Sequence, residues 1–137
     1  MEQPLVSILC GCYNQSKFIL ESLESIKNQT YKNYEVIIWD DASTDNSVCI
    51  IEKWIAENSD KAITFIKHEI NAGICKSLNE AQTYTKGKYI QLLALDDILL
   101  PNKIFIFTRW KKKNNKRVGN KKKKKKETKI LTIIFWS

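Results

Sequence analysis

The chain has 137 residues, the length of one ordinary domain, and its composition of 43% hydrophobic and 28% charged residues excludes collagenous, disordered and membrane-spanning classes. Its formal net charge of +8 is typical of nucleic-acid-binding proteins, but the charge is unevenly distributed. Residues 1–110 contain 11 Lys and Arg against 14 Asp and Glu, whereas residues 111–137 contain 12 Lys and Arg against Glu127 alone. The net charges are therefore −3 and +11, and the basic character belongs to the C-terminal segment.

Four short runs of apolar residues predict β-strands. Each run is about as long as a buried strand and is bounded by residues that favour turns. The runs cover residues 5–10, 34–39, 62–67 and 89–95. The second run, Tyr-Glu-Val-Ile-Ile-Trp, is rich in the β-branched and aromatic side chains that strands prefer.

Between these runs the apolar residues recur at helical spacing. Ile19, Leu23 and Ile26 lie on one face of a first helix, which Asn14 or Ser16 can cap. The markers of the next two helices are Val48, Ile51, Trp54 and Ile55 for the second, and Ile74, Leu78 and Ala81 for the third, with Gly87 as its C-terminal stop. A last helix begins after Pro101. This alternation predicts an α/β protein with a Rossmann-like parallel sheet and helices on both faces.

Polar residues follow each predicted strand. Ligands of parallel sheets bind beyond the carboxyl ends of the strands, so these residues are the candidates for a site. They are Tyr13 and Asn14 after the first strand, Asp40 and Asp41 after the second, Asn71 and Gly73 after the third, and Asp96 and Asp97 after the fourth. A single Asp-Asp pair commonly caps a helix or opens a turn, but two pairs at equivalent strand ends favour a functional crevice.

The motifs that the sequence lacks limit which ligands this crevice can bind. Its four glycines, at positions 11, 73, 87 and 119, are too dispersed for a glycine-rich phosphate loop. A bound phosphate then needs another counter-charge. A divalent cation on Asp96 and Asp97 would supply it, because Mg²⁺ and Mn²⁺ prefer carboxylate oxygens. The residues therefore predict a nucleotide site bridged by Mg²⁺ or Mn²⁺.

Several short motifs occur in order along residues 4–103. They are Val6-Ser7-Ile8-Leu9 with Tyr13-Asn14-Gln15, Gln29-Thr30-Tyr31 before the second strand, Asp40-Asp41-Ala42-Ser43-Thr44-Asp45, Asn71-Ala72-Gly73-Ile74, and Gly87-Lys88-Tyr89-Ile90. Each motif alone is common, whereas their order and separation together are specific. The series resembles the N-terminal, donor-binding half of family 2 glycosyltransferases with the GT-A fold. The resemblance implies a nucleotide-sugar donor and a glycan or lipid-linked acceptor as partners.

The same resemblance implies roles for individual residues. Tyr13 and Asp41 would contact the nucleobase, most often uracil, and Asp40 would be the neighbour of Asp41 in the same nucleotide-binding turn. Asp96 would coordinate the metal ion on the diphosphate, and Asp97 would lie beside the sugar. These roles together describe the donor side of an inverting sugar transfer.

Lys76 lies near the position at which a basic residue approaches the phosphates in this family. The chain departs from the family pattern in the segment Ala94-Leu95-Asp96-Asp97, which lacks the first carboxylate of the usual D-x-D motif. The family's second half, which supplies the acceptor site and the general base, has no counterpart in the sequence given. We therefore predict a truncated protein that binds a nucleotide sugar but transfers it weakly or not at all on its own.

The segment 111–137 forms a separate, lysine-rich tail. It begins with Lys111-Lys112-Lys113, contains a run of six lysines from Lys121 to Lys126 and is predicted to be disordered, because a block of one charge sign stays solvated. Slippage in an adenine-rich reading frame would explain both the tail and the missing half. The alternative is a non-enzymatic protein whose tail attaches to an anionic membrane surface or to nucleic acid. Nucleic acid is disfavoured because aromatic residues do not interleave the lysine run.

Three remaining features bear on location and on competing sites. The N-terminus lacks the basic region of a signal peptide, so we expect a cytoplasmic protein, peripheral at the inner face of the cell membrane if the tail binds lipid. Residues 41–52 imitate an EF-hand calcium loop, but a strand precedes them where a helix is required. The only histidine, His68, follows the third strand and is interpreted as a surface or packing residue.

Overall fold

The structure, a computed structural model, describes residues 3–115, which form four strands and four helices in alternation. The elements in chain order are β1 Val6–Cys12, α1 Ile19–Lys27, β2 Tyr34–Asp40, α2 Ser47–Glu57, β3 Ile63–Lys67, α3 Ile74–Thr83, β4 Tyr89–Ala94 and α4 Lys103–Asn115. The predicted order of strands and helices is confirmed, and the strand ends differ from the prediction by a residue or two.

The four strands form one parallel sheet in the order β3-β2-β1-β4. In the interior strand β1, Cys10 pairs with Ile38 of β2 on one side and with Leu93 of β4 on the other. Strands covered on both faces need nearly continuous apolar sequence, which explains the run in β1. The chain moves outward from β1 to β3 and then crosses back to β4. The loops after β1 and β4 therefore lie at a topological switch point, where ligands of such sheets bind.

Helices cover both faces of the sheet, as the sequence predicts. On one face Leu23 of α1, Trp54 of α2 and Ile104 of α4 belong to one buried cluster. On the opposite face Leu9 of β1 packs in a smaller cluster with Ala81 of α3. Right-handed crossovers require this division, because the chain travels in opposite directions across the sheet before and after β3.

The third helix ends earlier than predicted. It stops at Thr83, and Gly87 is not its C-terminal stop but lies where the chain enters β4. The Gly87 N–H donates to Ser7 Oγ at 2.9 Å, and a Cβ at position 87 would lie 2.6 Å from the Ser7 backbone nitrogen. Glycine is needed at this position because two backbone segments approach closely, a requirement that follows from tertiary contact and not from helix termination.

The first helix begins later than the predicted caps suggest. Phe18 occupies the N-cap position of α1, so neither Asn14 nor Ser16 is the cap. The reason is that both residues bond to the loop after β2: Asn14 Oδ1 accepts the N–H of Thr44 at 2.8 Å, and the Ser16 N–H donates to Asp45 Oδ2 at 3.0 Å. A neighbouring loop has replaced the local cap.

The last described helix, α4, continues past the predicted end of its pattern at Lys111 to Asn115. It overlaps the first residues of the segment assigned to the tail, and the rest of that tail, 116–137, lies outside the described residues. Among the described helices, none has the length and apolar character needed to cross a membrane.

Candidate functional site

The loops after β1 and β2 are joined by hydrogen bonds at the carboxyl edge of the sheet. The Asn14 N–H donates to Ser43 Oγ at 2.9 Å, and the Gln15 N–H donates to Ser47 Oγ at 3.0 Å. Asn14 adopts a left-handed backbone conformation with φ 50°, which asparagine tolerates better than most residues. These bonds hold the segment around Tyr13 beside the two aspartates that follow β2.

Asp40 is buried and acts inside its own turn. Its Oδ1 accepts the Ser43 N–H at 2.9 Å, and its Oδ2 accepts the Ser43 hydroxyl. Ala42, between them, has φ 65° in the left-handed region that strains residues with a Cβ. The carboxylate of Asp40 therefore braces the turn that carries Asp41.

Asp41 is the most heavily bonded of the predicted site residues. Its Oδ1 accepts the Ala72 N–H at 2.7 Å and lies 3.3 Å from the hydroxyl of Ser77, which donates to it, and its Oδ2 accepts the Gly73 N–H at 3.0 Å. Gly73, with φ 82°, turns its N–H toward this carboxylate. Asp41 thus anchors the loop between β3 and α3 to the end of β2.

His68 lies between Asp41 and a second carboxylate. Its Nδ1 is 3.0 Å from Asp41 Oδ1 and its Nε2 is 2.8 Å from Glu80 Oε2, while its side chain is only 13% exposed. His68, interpreted from the sequence as a surface or packing residue, has two carboxylate partners in the fold, because Glu80 reaches it from α3. Its position directly after β3, at the same sheet edge as Asp41, was the one available signal.

The two groups shift each other's pKa. Burial raises the pKa of Asp41, but the hydrogen bond from His68 and those from the Ala72 and Gly73 N–H groups outweigh it, so the pKa lies below its ordinary value. The hydrogen bond to Asp41 raises the pKa of His68, burial lowers it, and the bond to Glu80 raises it further, for a net rise above 6.5. The geometry therefore favours a charged pair.

A cavity of about 300 Å³ opens beside Asp41 at the carboxyl ends of β1 and β4. Its size is at the lower end of the range for small-molecule sites. Apolar side chains form most of its wall, and Tyr13, half exposed, stands at its rim. The lining includes Tyr13, Trp39, Asp41, Ile74, Leu78 and Leu92. The two residues predicted to contact the nucleobase, Tyr13 and Asp41, thus line one cavity.

The other predicted residues lie outside this lining. Asp96 and Asp97 are exposed in the turn directly after Ala94, which does line the cavity. The Asp97 N–H donates to the Ala94 carbonyl at 2.9 Å and closes that turn. Lys76 is exposed on α3, two residues from each of the lining residues Ile74 and Leu78, so it lies on the side of the helix that faces away from the cavity.

Asp96 and Asp97 fit a metal ion only in part. Within residues 3–115 no group of three or more His, Cys, Asp or Glu side chains could hold a metal ion. Mg²⁺ is commonly bound through one or two carboxylates together with phosphate oxygens of the substrate, and an exposed carboxylate pair suits that arrangement. The donor set is compatible with a metal that a bound diphosphate helps to coordinate.

A larger cavity, of about 410 Å³, lies at the opposite edge of the sheet, beside the start of β4. Its lining includes Lys86, Lys88, Lys112 and Tyr89. The amino ends of parallel strands are not where such sheets bind their ligands. The smaller cavity, which Tyr13 and Asp41 line, is therefore the candidate site.

The parallel order β3-β2-β1-β4, the helices on both faces and the cavity at the carboxyl ends of the strands define a Rossmann-like domain of the GT-A type. The chain belongs to glycosyl transferase family 2, whose family model matches residues 7–131. The family resemblance drawn from the sequence motifs is confirmed.

A curated relative and two solved structures illustrate the similarity. The chain is 41% identical over 100 residues to the Escherichia coli UDP-Glc:alpha-D-GlcNAc-diphosphoundecaprenol beta-1,3-glucosyltransferase WfaP, covering 73% of this chain and 38% of that protein. S. aureus TarS 1-349 in complex with UDP-GlcNAc gives a TM-score of 0.73 at 26% identity, covering 80% of this chain and 32% of the TarS 1-349 chain. The mannosyltransferase PcManGT from Pyrobaculum calidifontis, in complex with GDP-Man and Mn²⁺, gives 0.72 at 26% identity, with the same coverages.

The chain spans little more than a third of the length of the curated relatives that it matches. The residues matched by the family model, 7–131, include every residue that lines the candidate cavity. What the similarity establishes is the family and the fold of this segment.

Proposed function

We propose that this chain forms the donor-binding part of a glycosyltransferase that takes a UDP-sugar and transfers the sugar with inversion to a glycan or lipid-linked acceptor. The observation that carries the proposal is the meeting of Tyr13 and Asp41 at one cavity beyond the carboxyl ends of the strands. Two of the three proteins named above support a uridine donor, since one acts on UDP-Glc and one was solved with UDP-GlcNAc, while the third was solved with GDP-Man.

Asp41 is suited to accept a hydrogen bond from the base. Its Oδ1 already accepts the Ala72 N–H and faces His68 Nδ1 at 3.0 Å, whereas the Gly73 N–H takes only part of the acceptor capacity of Oδ2. The N–H of a uracil ring is a donor of the required kind. The exposed ring of Tyr13 supplies a flat surface against which the base can stack.

The diphosphate is assigned to the turn after β4. Asp96 would hold Mg²⁺ or Mn²⁺ together with phosphate oxygens, Asp97 would lie beside the sugar, and Lys76 would approach the phosphates from α3. The bound metal would offset the charge that develops on the departing nucleotide diphosphate. The contribution of the chain's own residues is to fix the base at Asp41 and Tyr13, so that the anomeric carbon is held in one orientation.

Inverting transfer also needs an acceptor hydroxyl and a base to remove its proton. We assign both to the region of the relatives' chains that lies outside the third they share with this chain. The 137-residue chain by itself is therefore expected to bind UDP without catalysing acceptor-dependent release of nucleoside diphosphate at a useful rate. A coupled assay that detects such release would contradict this part of the proposal.

Calorimetric titration of UDP in the presence of Mn²⁺ tests the site. We expect Asp41→Asn and Tyr13→Ala each to weaken UDP binding about tenfold or more, since each loses a contact worth more than about 1.4 kcal/mol. Tyr84→Ala removes a tyrosine of similar exposure at the end of α3 and serves as the matched control. UDP affinities equal to the wild type in both site variants would overturn the proposal.

A second candidate function is peripheral attachment to an anionic membrane surface. It is favoured by α4, where the exposed apolar side chains of Ile106 and Trp110 stand beside Arg109 and Lys113. Attachment there would place the protein at the inner face of the cell membrane, near a lipid-linked acceptor. Co-sedimentation with vesicles rich in anionic lipid should fall with added salt and with removal of residues 111–137. Vesicle binding that is unchanged by both treatments would exclude electrostatic attachment through this segment.

A further inference from the structure

Both nitrogen atoms of the His68 ring face carboxylate oxygens. Nδ1 lies 3.0 Å from Asp41 Oδ1 and Nε2 lies 2.8 Å from Glu80 Oε2. The three side chains come from different places in the chain: Asp41 follows β2, His68 follows β3 and Glu80 belongs to α3. The ring therefore connects the candidate site to the helix that forms one wall of its cavity.

With both carboxylates ionised, one protonation state of the ring satisfies both contacts. An ionised carboxylate can accept hydrogen bonds but cannot donate them. A neutral imidazole has one N–H and one bare nitrogen, so it can satisfy only one of the two carboxylates, and its lone pair would then face the oxygen of the other. The imidazolium, with two N–H groups, satisfies both. The observed contacts are those of a cation between two anions.

Protonation of His68 also bears on the orientation of Asp41. The His68 N–H donates to Asp41 Oδ1 together with the Ala72 N–H at 2.7 Å, while the single O–H of Ser77 is shared between this oxygen at 3.3 Å and the Gly73 carbonyl at 3.0 Å. With Oδ1 engaged by these donors, the carboxylate has one fixed rotation, and Oδ2 keeps spare acceptor capacity. Loss of the proton from His68 removes either this donor or the bond to Glu80.

We propose that the His68 imidazolium is a positioning residue of the nucleobase site, and that its protonation controls the affinity of the protein for the nucleotide. This inference rests on the proposed function of Asp41 as the acceptor for the base. Among the described residues, the charged groups that face His68 are Asp41 and Glu80. Its neighbour Lys67 pairs with Glu52 of α2 at 3.1 Å. Nucleotide affinity is therefore highest at a pH at which His68 carries its proton.

The first experiment needs no ligand. His68 is the only histidine, so its ring resonances in a proton NMR titration belong to one residue. We expect the wild type to titrate above about 6.5, the ordinary value for histidine, and Asp41→Asn and Glu80→Gln each to lower that midpoint. Glu69→Gln, a substitution of the exposed carboxylate next to His68, is the matched control and should change it much less. A wild-type midpoint at or below 6.5 would contradict the cationic bridge.

The second experiment measures UDP binding between pH 5.5 and 8.5 with the wild type and His68→Gln. Glutamine has no titration in this range, and the β-phosphate of UDP titrates equally for both proteins, so the ratio of their affinities isolates His68. We expect the wild-type advantage to fall about tenfold across the range, which corresponds to a rise of about one unit in the pKa of His68 when UDP binds. A merely structural role would give a constant ratio at every pH.

The outcomes separate the two proposals. If the wild type does not bind UDP at any pH, the proposed function fails. If it binds UDP and the ratio of wild-type to His68→Gln affinity is constant or grows with pH, the role of His68 fails and the donor site stands. Circular dichroism of each variant at both ends of the pH range confirms that the fold is retained.

Discussion

Gly11 lies so close to the ring of Trp39 that a Cβ at position 11 would stand 2.5 Å from the Trp39 Cζ2 atom. The two residues are register partners on β1 and β2, and both line the candidate cavity. The absence of a side chain on Gly11 is what allows an indole to form part of the cavity wall. Glycine at position 11 of β1 therefore helps to determine the shape of the candidate cavity.

Gly11→Ala should therefore destabilise the protein by about 1–3 kcal/mol, since the added methyl group overlaps a rigid ring that is itself buried. Urea denaturation measures the change. In a Trp39→Val background the same Gly11→Ala substitution should cost much less stability than in the wild type, because the smaller valine side chain removes the overlap. Equal effects of Gly11→Ala in both backgrounds would show that Trp39 is not the cause.

Ala42→Gly should stabilise the protein by about 1 kcal/mol. Ala42 has φ 65°, a backbone conformation that costs a residue with a Cβ about 1–2 kcal/mol. Glycine avoids this cost, but its greater freedom in the unfolded chain cancels part of the gain. Ala56→Gly, at an exposed position in α2, is the matched control and should destabilise the protein, by up to about 1 kcal/mol. Thermal unfolding of the two variants should therefore shift in opposite directions.

Stability should fall as the pH rises above about 6.5. The pKa of His68 is raised in the folded state, so its contribution is complete below the unfolded value and is lost as pH rises through the folded one. The pKa of Asp41 is lowered, so its contribution is complete above about 3.9 and is lost as pH falls through its folded value.

Urea denaturation at pH 6 and pH 8.5 tests the alkaline side of this window. His68→Gln should abolish most of the difference, because the chain has no other histidine that titrates there. A difference of the same size in the variant would assign the effect to another group.

Asp96→Ala should weaken UDP binding about tenfold or more in Mn²⁺ and leave the affinity unchanged when the metal is removed by a chelator. The reason is that Asp96 would contribute through the metal ion and not through direct contact with the nucleotide. Asp60→Ala, which removes a carboxylate that is 80% exposed and 3.8 Å from Lys61, is the matched control. Equal UDP affinities of Asp96→Ala and the wild type in Mn²⁺ would overturn the metal assignment.

Much of the site could be located from the sequence because its residues follow strands. Tyr13, Asp41 and Asp96 each come directly after an apolar run, and parallel strands bring such positions to one edge. What each carboxylate does at that edge was not predictable. Asp40 and Asp41 are adjacent in sequence, yet one bonds Ser43 inside its turn and the other bonds Ala72 in a distant loop.

The charge of +8 is a property of the sequence alone, and so are its division at residue 110 and the alternation of strands and helices, because composition and periodicity are local. Tertiary structure decided the points that depend on neighbours distant in sequence. Gly87 serves a close approach to Ser7, Asn14 bonds to the next loop and not to its own helix, and His68 receives a second carboxylate from α3. A hydrogen bond or a close contact between distant segments exists only once folding has brought them together, so the periodicity of the sequence does not predict it.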